Sequence, residues 1–307
     1  MRWRTGANIA MALVCCNVTQ AAEQVSDKSA TRYSAEVGAG LEYDSNVAVD
    51  ELDTSSSQSD YAATLDAELA VHKPLREGTD VSLSYDFNQN LYQEFDRVNR
   101  QTHIVGANLK QKLRRADAGL TAFYINSSLD GDGFLELTRL SPSVSGFLDR
   151  KWFGRGAYVY SDKSLAQSKG RDATTQAVEA DLYFFHRGLR SYFNLGYRYR
   201  DENADFNQYD YRSHNLKLRY IHRFKLDQRS IKLELAWRFE DRDYLSDTPE
   251  IDAERNDRRQ RLQVDVEVPL GERAAMQFYT GYGDYESNYT PADYNQTVTG
   301  SRVIYRW

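Results

Sequence analysis

Apolar and polar residues alternate one by one along most of this chain. Ile231, Leu233, Leu235, Trp237 and Phe239 interleave with Lys232, Glu234, Ala236, Arg238 and Glu240, and Leu262, Val264, Val266 and Val268 with Gln263, Asp265 and Glu267. The same two-faced pattern runs through Ala63–Val71, through Val81–Phe87 and through Tyr33–Tyr43. A period of two sends successive side chains to opposite faces of a sheet, and no helical period competes over these windows. The pattern predicts about fourteen strands, at 32–44, 60–73, 79–93, 101–114, 117–128, 134–148, 151–162, 174–187, 190–201, 209–224, 230–244, 258–268, 274–287 and 296–307. The sixth is the least regular. Pro142 lies in it and cannot donate to a ladder, so a bulge or bend is expected there.

The connectors alternate as well. Tight turns follow even strands: Arg114-Arg115-Ala116-Asp117, Arg187-Gly188-Leu189-Arg190, Leu226-Asp227-Gln228 and Leu270-Gly271-Glu272-Arg273. Longer polar loops follow odd strands, such as Glu51 to Ser59 and Ser246 to Asp257. An even number of strands with this alternation implies an all-β fold, a closed antiparallel transmembrane barrel. Its short turns would face the periplasm and its long loops the outside.

Composition alone would suggest a soluble acidic protein, with 27% charged residues, net charge −6 and mean hydropathy −0.70. No apolar run after the first thirty residues approaches the ~20 that a membrane helix needs. A barrel with a polar interior hides its membrane signal in the alternation, however, and 22 Tyr, 13 Phe and 4 Trp against 5 Pro fit a lipid-facing sheet. The last strand puts Tyr305 and Trp307 on one face and Arg302 and Arg306 on the other. An aromatic terminal residue resembles the close of bacterial outer-membrane barrels, and it makes Tyr305 and Trp307 the candidate signal for the barrel-assembly machinery. At the other end, Arg2 and Arg4 precede an apolar stretch from Ala7 to Cys16 and small residues at Thr19, Ala21 and Ala22, the layout of a secretory signal. The expected organisation is a signal peptide at 1–21, a short periplasmic segment at 22–31 and an outer-membrane barrel at 32–307. Cys15 and Cys16 fall in the signal, which removes disulfides and thiolate metal sites from the mature chain.

The inward-facing charges are unevenly placed. Strands one to three contribute Glu36, Glu42, Asp44, Asp66, Glu68 and Asp86, an acidic wall. Strands nine to eleven contribute Arg198, Arg200, Lys217, Arg219, Arg223, Lys232 and Arg238, a basic wall roughly opposite, relieved by Glu234 and Glu240. Charges in a polar lumen must pair or stay wet, so a network of internal ion pairs is the minimum expectation. The sharper one is a transverse field across an aqueous constriction that filters polar solutes.

Catalytic and metal signals are weak. His72, His103, His186, His214 and His222 have no metal-type spacing, and Ser213 beside His214 points to the opposite face of its strand, away from a nucleophile–base geometry. Asp130-Gly131-Asp132-Gly133 begins like a calcium loop without its remaining ligands and reads as a turn. Neither an enzyme, a cofactor, a metal site nor a nucleic-acid partner is expected.

Gly38-x-Gly40-Leu41-Glu42-Tyr43-Asp44-Ser45-Asn46-Val47, the Asp/Ser-rich loop after it and a fourteen-strand pattern ending Tyr305-Arg306-Trp307 resemble the barrel domain of surface lipoprotein assembly modifiers, and related porin-like families look similar. The resemblance implies a Gram-negative outer-membrane protein that moves or displays a substrate, with a lipoprotein client. In that family a periplasmic tetratricopeptide-type domain precedes the barrel. Residues 22–31 cannot hold one such repeat, so a separate repeat protein would have to supply it. The alternatives are a passive channel for small polar solutes and a structural barrel that presents its outer loops.

Overall fold

The computed structural model describes residues 30–226 and 229–307. Fourteen antiparallel strands form one closed ring: β1 (Arg32–Asp44), β2 (Asp60–Arg76), β3 (Thr79–Tyr92), β4 (Arg100–Lys112), β5 (Asp117–Leu129), β6 (Asp132–Phe147), β7 (Trp152–Leu165), β8 (Ala173–Phe184), β9 (Ser191–Ala204), β10 (Tyr211–Leu226), β11 (Arg229–Thr248), β12 (Ala253–Pro269), β13 (Ala274–Ser287) and β14 (Tyr294–Arg306). Each pairs with its neighbours in sequence, and β14 closes on β1 with Glu36 opposite Arg306 and Asp44 opposite Val298. Closure leaves no open edge, which hydrocarbon would not tolerate because no water is there to satisfy free backbone groups. At ~4.8 Å per strand and a tilt of ~40°, the ring is roughly 28 Å across at the backbone.

The seam explains the paired glycines of the first strand. A Cβ on Gly40 would lie 2.2 Å from the Ser301 carbonyl oxygen and 2.6 Å from the Cβ of Arg302. With Gly38 and Gly40 bare on the inner face, the Arg302 side chain crosses β1 and reaches Asp66 on β2 at 3.0 Å.

The outer face is apolar. Leu41, Leu65, Leu83, Val105, Leu195, Leu218, Leu235, Leu262 and Val303 are exposed there, as lipid-facing residues of a membrane barrel must be. Aromatics flank this band on both sides. At the short-turn rim Trp152 stacks on Phe184 and Phe193 on Tyr220, Tyr305 meets Trp307 edge to face, and towards the long loops Tyr85 and Tyr197 hydrogen-bond His103 and His214 at 2.8 Å. Ser213 is fully buried inside while His214 lies outside, on opposite faces of β10.

Three details depart from the sequence pattern. The segment from Ser246 to Asp257 is mostly strand: β11 runs to Thr248 and β12 starts at Ala253, leaving a four-residue turn on a hairpin that projects past the end of β10. A register shift between Asp243 and Asp247 and a run of charges on both faces hide the alternation there. Pro142 makes no bulge. The β6–β7 ladder lapses at residues 141 and 142 and resumes in the same register, while the irregularity lies at Ser127/Ser128 on the other side. After β5 the connection is only Asp130-Gly131, both at positive φ (50° and 84°), which suits a tight two-residue hairpin. The expected signal peptide, most of the segment at 22–31 and the turn residues Asp227 and Gln228 lie outside the described residues.

The assignment of faces is open to direct test. Leu235→Arg should weaken insertion by about 2–4 kcal/mol if the site is near the membrane midplane, whereas Arg238→Leu, facing the lumen, should change it far less. Urea unfolding in lipid vesicles measures both, and the reverse ranking would invert the faces.

Candidate functional site

The loop after β1 does not project into solvent. Residues 45–59 turn inward, and the Asp-Ser-Asn stretch makes the turn. The Asp44 carboxylate accepts hydrogen bonds from the Asn46 backbone N–H at 3.0 Å, from Gln296 at 2.9 Å and from the Tyr92 hydroxyl at 3.3 Å. Ser45 exchanges backbone and side-chain bonds with Thr297 at 2.9 and 2.8 Å. Asn46 clamps the two ends of the loop, donating to the Asn295 carbonyl at 3.0 Å and accepting from the Ser57 N–H at 2.9 Å. Beyond this clamp a small hairpin pairs Ala48–Val49 with Thr54–Ser55 around a short 3-10 turn at Asp50–Leu52.

The tip of this loop ties opposite walls of the barrel together. Glu51 pairs with Arg100 at the start of β4 at 2.7 Å. Asp50 pairs with Arg261 of β12 at 2.8 Å and accepts from the Tyr294 hydroxyl at 3.0 Å. Asp53 is 3% exposed and meets four guanidiniums: Arg171 from the β7–β8 loop at 2.7 Å, Arg259 at 2.7 Å and Arg255 at 3.1 Å from β12, and Arg242 of β11 at 3.9 Å. In a ring of fourteen, β4 and β11 stand half a circumference apart. Val49 packs into an apolar cluster with Phe134, Leu135 and Leu165, so the hairpin is held by burial as well as charge. Burial alone would raise the Asp53 carboxyl, but the guanidiniums of Arg259, Arg255, Arg242 and Arg171 outweigh it and hold it well below the usual carboxylate range. Asp50 is lowered in the same way: burial opposes, and Arg261 and Arg259 prevail.

Beneath the loop lies a cavity of about 400 Å³. Twelve basic side chains line it against seven acidic ones. Of the residues marked in the sequence, Arg198, Arg200, Lys217 and Arg238 line this cavity. Arg219 and Lys232 share Glu234 at 2.6 and 3.1 Å, and Arg223 donates to the Leu189 carbonyl at 2.6 Å, nearer the short-turn rim. The acidic set lies inside β1–β3 across the ring. Glu36 and Glu68 are in register, as are Glu68 and Asp86, and Glu36 pairs with Arg306 at 2.7 Å, while Glu42 accepts from Tyr279 at 2.9 Å. Both walls are laced with partners. Arg139, Arg155 and Arg198 converge on Glu179, and Lys217 reaches Asp181 at 2.9 Å.

Sequence reasoning missed much of this. Glu179, Asp181, Arg139 and Arg155 sit at regular inward positions of β6–β8 and were legible by extending the alternation. Arg255 and Asp257 lie in a stretch polar on both faces, which reads as loop, and Arg259 and Arg261 lie in the predicted strand at 258–268 but were not singled out. Asp50 and Asp53 read as outer-loop acids because nothing in a short polar loop says which way it folds. An apolar inner wall was also missed: Ile104, Phe123, Ile125, Leu135, Leu137 and Val159 face the cavity, although the outer faces of the same strands are apolar too.

The surface lipoprotein assembly modifier family model matches residues 14–269. The chain belongs to that family. No curated protein matches it. Among solved structures, the anion-selective porin from Comamonas acidovorans is 9% identical with a TM-score of 0.52, covering 91% of this chain and 100% of its own. The outer membrane channel DcaP of Acinetobacter baumannii is 10% identical with a TM-score of 0.54, covering 90% and 97%. In-vitro folded, trimeric OmpT, an outer membrane protein of Vibrio cholerae, is 8% identical with a TM-score of 0.54, covering 92% and 100%. At such identities the likeness is one of fold. With the family, it places the chain in the outer membrane of a Gram-negative bacterium.

Removing the charge on Asp53 leaves four arginines facing a neutral amide. Asp53→Asn should therefore cost about 3–5 kcal/mol, the scale for breaking a buried ion pair, measured by urea unfolding. Because the Asp53 carboxyl is depressed when folded, its stabilisation is present above the ordinary carboxylate pKa of ~3.9 and is lost only as pH falls below that value. The loop should accordingly stay docked from pH 8 down to about 4, read from the protease sensitivity of residues 47–57, and release between pH 5 and 7 would remove Asp53 as the charged anchor.

Proposed function

We propose that this protein is the membrane component of a surface-lipoprotein delivery system, a transport-class barrel that works without catalysis. The observation that carries the reading is the family match combined with a lumen bridged by its own first loop, held wall to wall by Asp50, Glu51 and Asp53. A passive pore gains nothing from a plug fixed by buried ion pairs. A barrel that must stay sealed until a client engages it needs one. The client in this reading is a lipoprotein arriving from the periplasm, and a separate periplasmic repeat protein would hand it over. The inward acids Glu36, Glu42, Asp44, Asp66, Glu68 and Asp86 and the inward bases Arg198, Arg200, Lys217, Arg219, Arg223, Lys232 and Arg238 keep the lumen hydrated around the moving loop. Tyr305 and Trp307 serve as the signal for the barrel-assembly machinery. In this reading a signal peptide at 1–21 and a short periplasmic segment at 22–31 precede the barrel.

Two measurements decide between this and a passive channel. In planar bilayers the purified protein should be nearly silent, and deletion of residues 47–57 should raise its conductance several-fold. In cells, loss of the protein should reduce protease-accessible surface lipoprotein while leaving total lipoprotein unchanged. A large, steady conductance from the intact protein, with surface lipoproteins unaffected, would establish the passive channel instead.

A further inference from the structure

The lining of the cavity beneath the loop has two chemically different patches. On β4, β5 and β7, Ile104, Phe123, Ile125 and Val159 point inward and are at most 8% exposed, in a lumen where polar residues are the rule. The loop does not account for them. Val49 covers Leu135 and Leu165 nearer the long-loop rim, whereas Ile104, Phe123 and Ile125 form a second cluster further down the barrel. Gly106 beside them is bare, and a Cβ there would lie 2.9 Å from the Phe123 ring, so the backbone makes room for this ring to lie inward.

Adjoining this apolar patch, on β6, β7, β9 and β10, the lining is cationic. Glu179 takes contacts from Arg198 at 2.5 Å, Arg139 at 2.8 Å and Arg155 at 3.3 Å, and Asp181 from Lys217 at 2.9 Å and Arg155 at 3.4 Å. Four cations thus surround two carboxylates. The cluster is therefore net positive where it borders the cavity, and the fork geometry of a guanidinium suits a carboxylate. About 400 Å³ lies within the range of ~300–1,000 Å³ typical of small-molecule sites.

We propose that this cavity is a binding site for a single-chain amphiphilic carboxylate, with its alkyl or aryl body on Ile104, Phe123, Ile125 and Val159 and its head group on the Arg139–Arg155–Arg198 cluster. The assignment stands on the apolar patch and the cationic patch that adjoins it, and is independent of lipoprotein delivery.

The test uses the full-length mature barrel in phosphatidylcholine nanodiscs, titrated calorimetrically with octanoate, acetate and 1-octanol, with empty nanodiscs subtracted. Octanoate should bind saturably, one per barrel, and at least tenfold more tightly than either control. Arg198→Gln should weaken octanoate at least tenfold while the barrel keeps its heat-modifiable gel mobility. Should that variant fail to fold, the ligand series on the unaltered protein decides alone. Acetate equalling octanoate would show that the apolar wall takes no part, and octanol equalling octanoate would show the same of the cations. Ready displacement of octanoate by inorganic phosphate at similar concentration would reduce the cavity to a simple anion site. Any of these results, or no saturable binding, overturns the proposal.

Discussion

A strand in hydrocarbon has no water to satisfy its backbone, so the pairing of β14 with β1 is the constraint on which everything else rests. Closure requires an even, alternating chain whose first and last strands meet. It sets the side-chain period, puts Tyr305 and Trp307 at the lipid face and explains why Gly38 and Gly40 are bare where Arg302 crosses to Asp66. It also creates a difficulty. Fourteen strands enclose a ring roughly 28 Å across, wider than wall side chains alone can fill.

The first loop answers that difficulty. Asp44, Ser45 and Asn46 are spent on hydrogen bonds that turn the chain inward, and this short stretch thereby acquires a mechanical meaning. The acids at the tip then find arginines on β4, β11, β12 and the β7–β8 loop. Several cations per carboxylate is a costly arrangement in a dry core. Around Asp53 it is tolerable because the surplus charge borders a cavity with further acids and with room for a ligand.

Much of the fold was legible in the sequence because a period of two is self-announcing wherever one face is lipid. Leu235 and Trp237 against Lys232 and Arg238 needed no further information. The pattern failed where both faces share a character. Glu254 to Asp257 is polar on both sides because the hairpin projects from the membrane, and Phe123 and Tyr124 are apolar on both sides because the lumen wall there is apolar too. The lumen charges were legible as faces but not as partners. Pairing depends on shear between strands, which brings Arg198 to Glu179 but is written in no single strand. The inward course of the loop was illegible for a stronger reason. Its direction is set by Gln296, Thr297 and Asn295, some 250 positions away in the chain.

The docked loop can be observed directly by hydrogen–deuterium exchange of the barrel in lipid. The Val47 and Ser56 amides are hydrogen-bonded within the loop, to the carbonyls of Gln58 and Val47. Residues 45–58 should therefore exchange as slowly as the adjoining ends of β1 and β2, and far more slowly than the turn at 249–252. Exchange of 45–58 as fast as that turn would mean that the loop is not seated in the lumen, and the plugged barrel described here would be wrong.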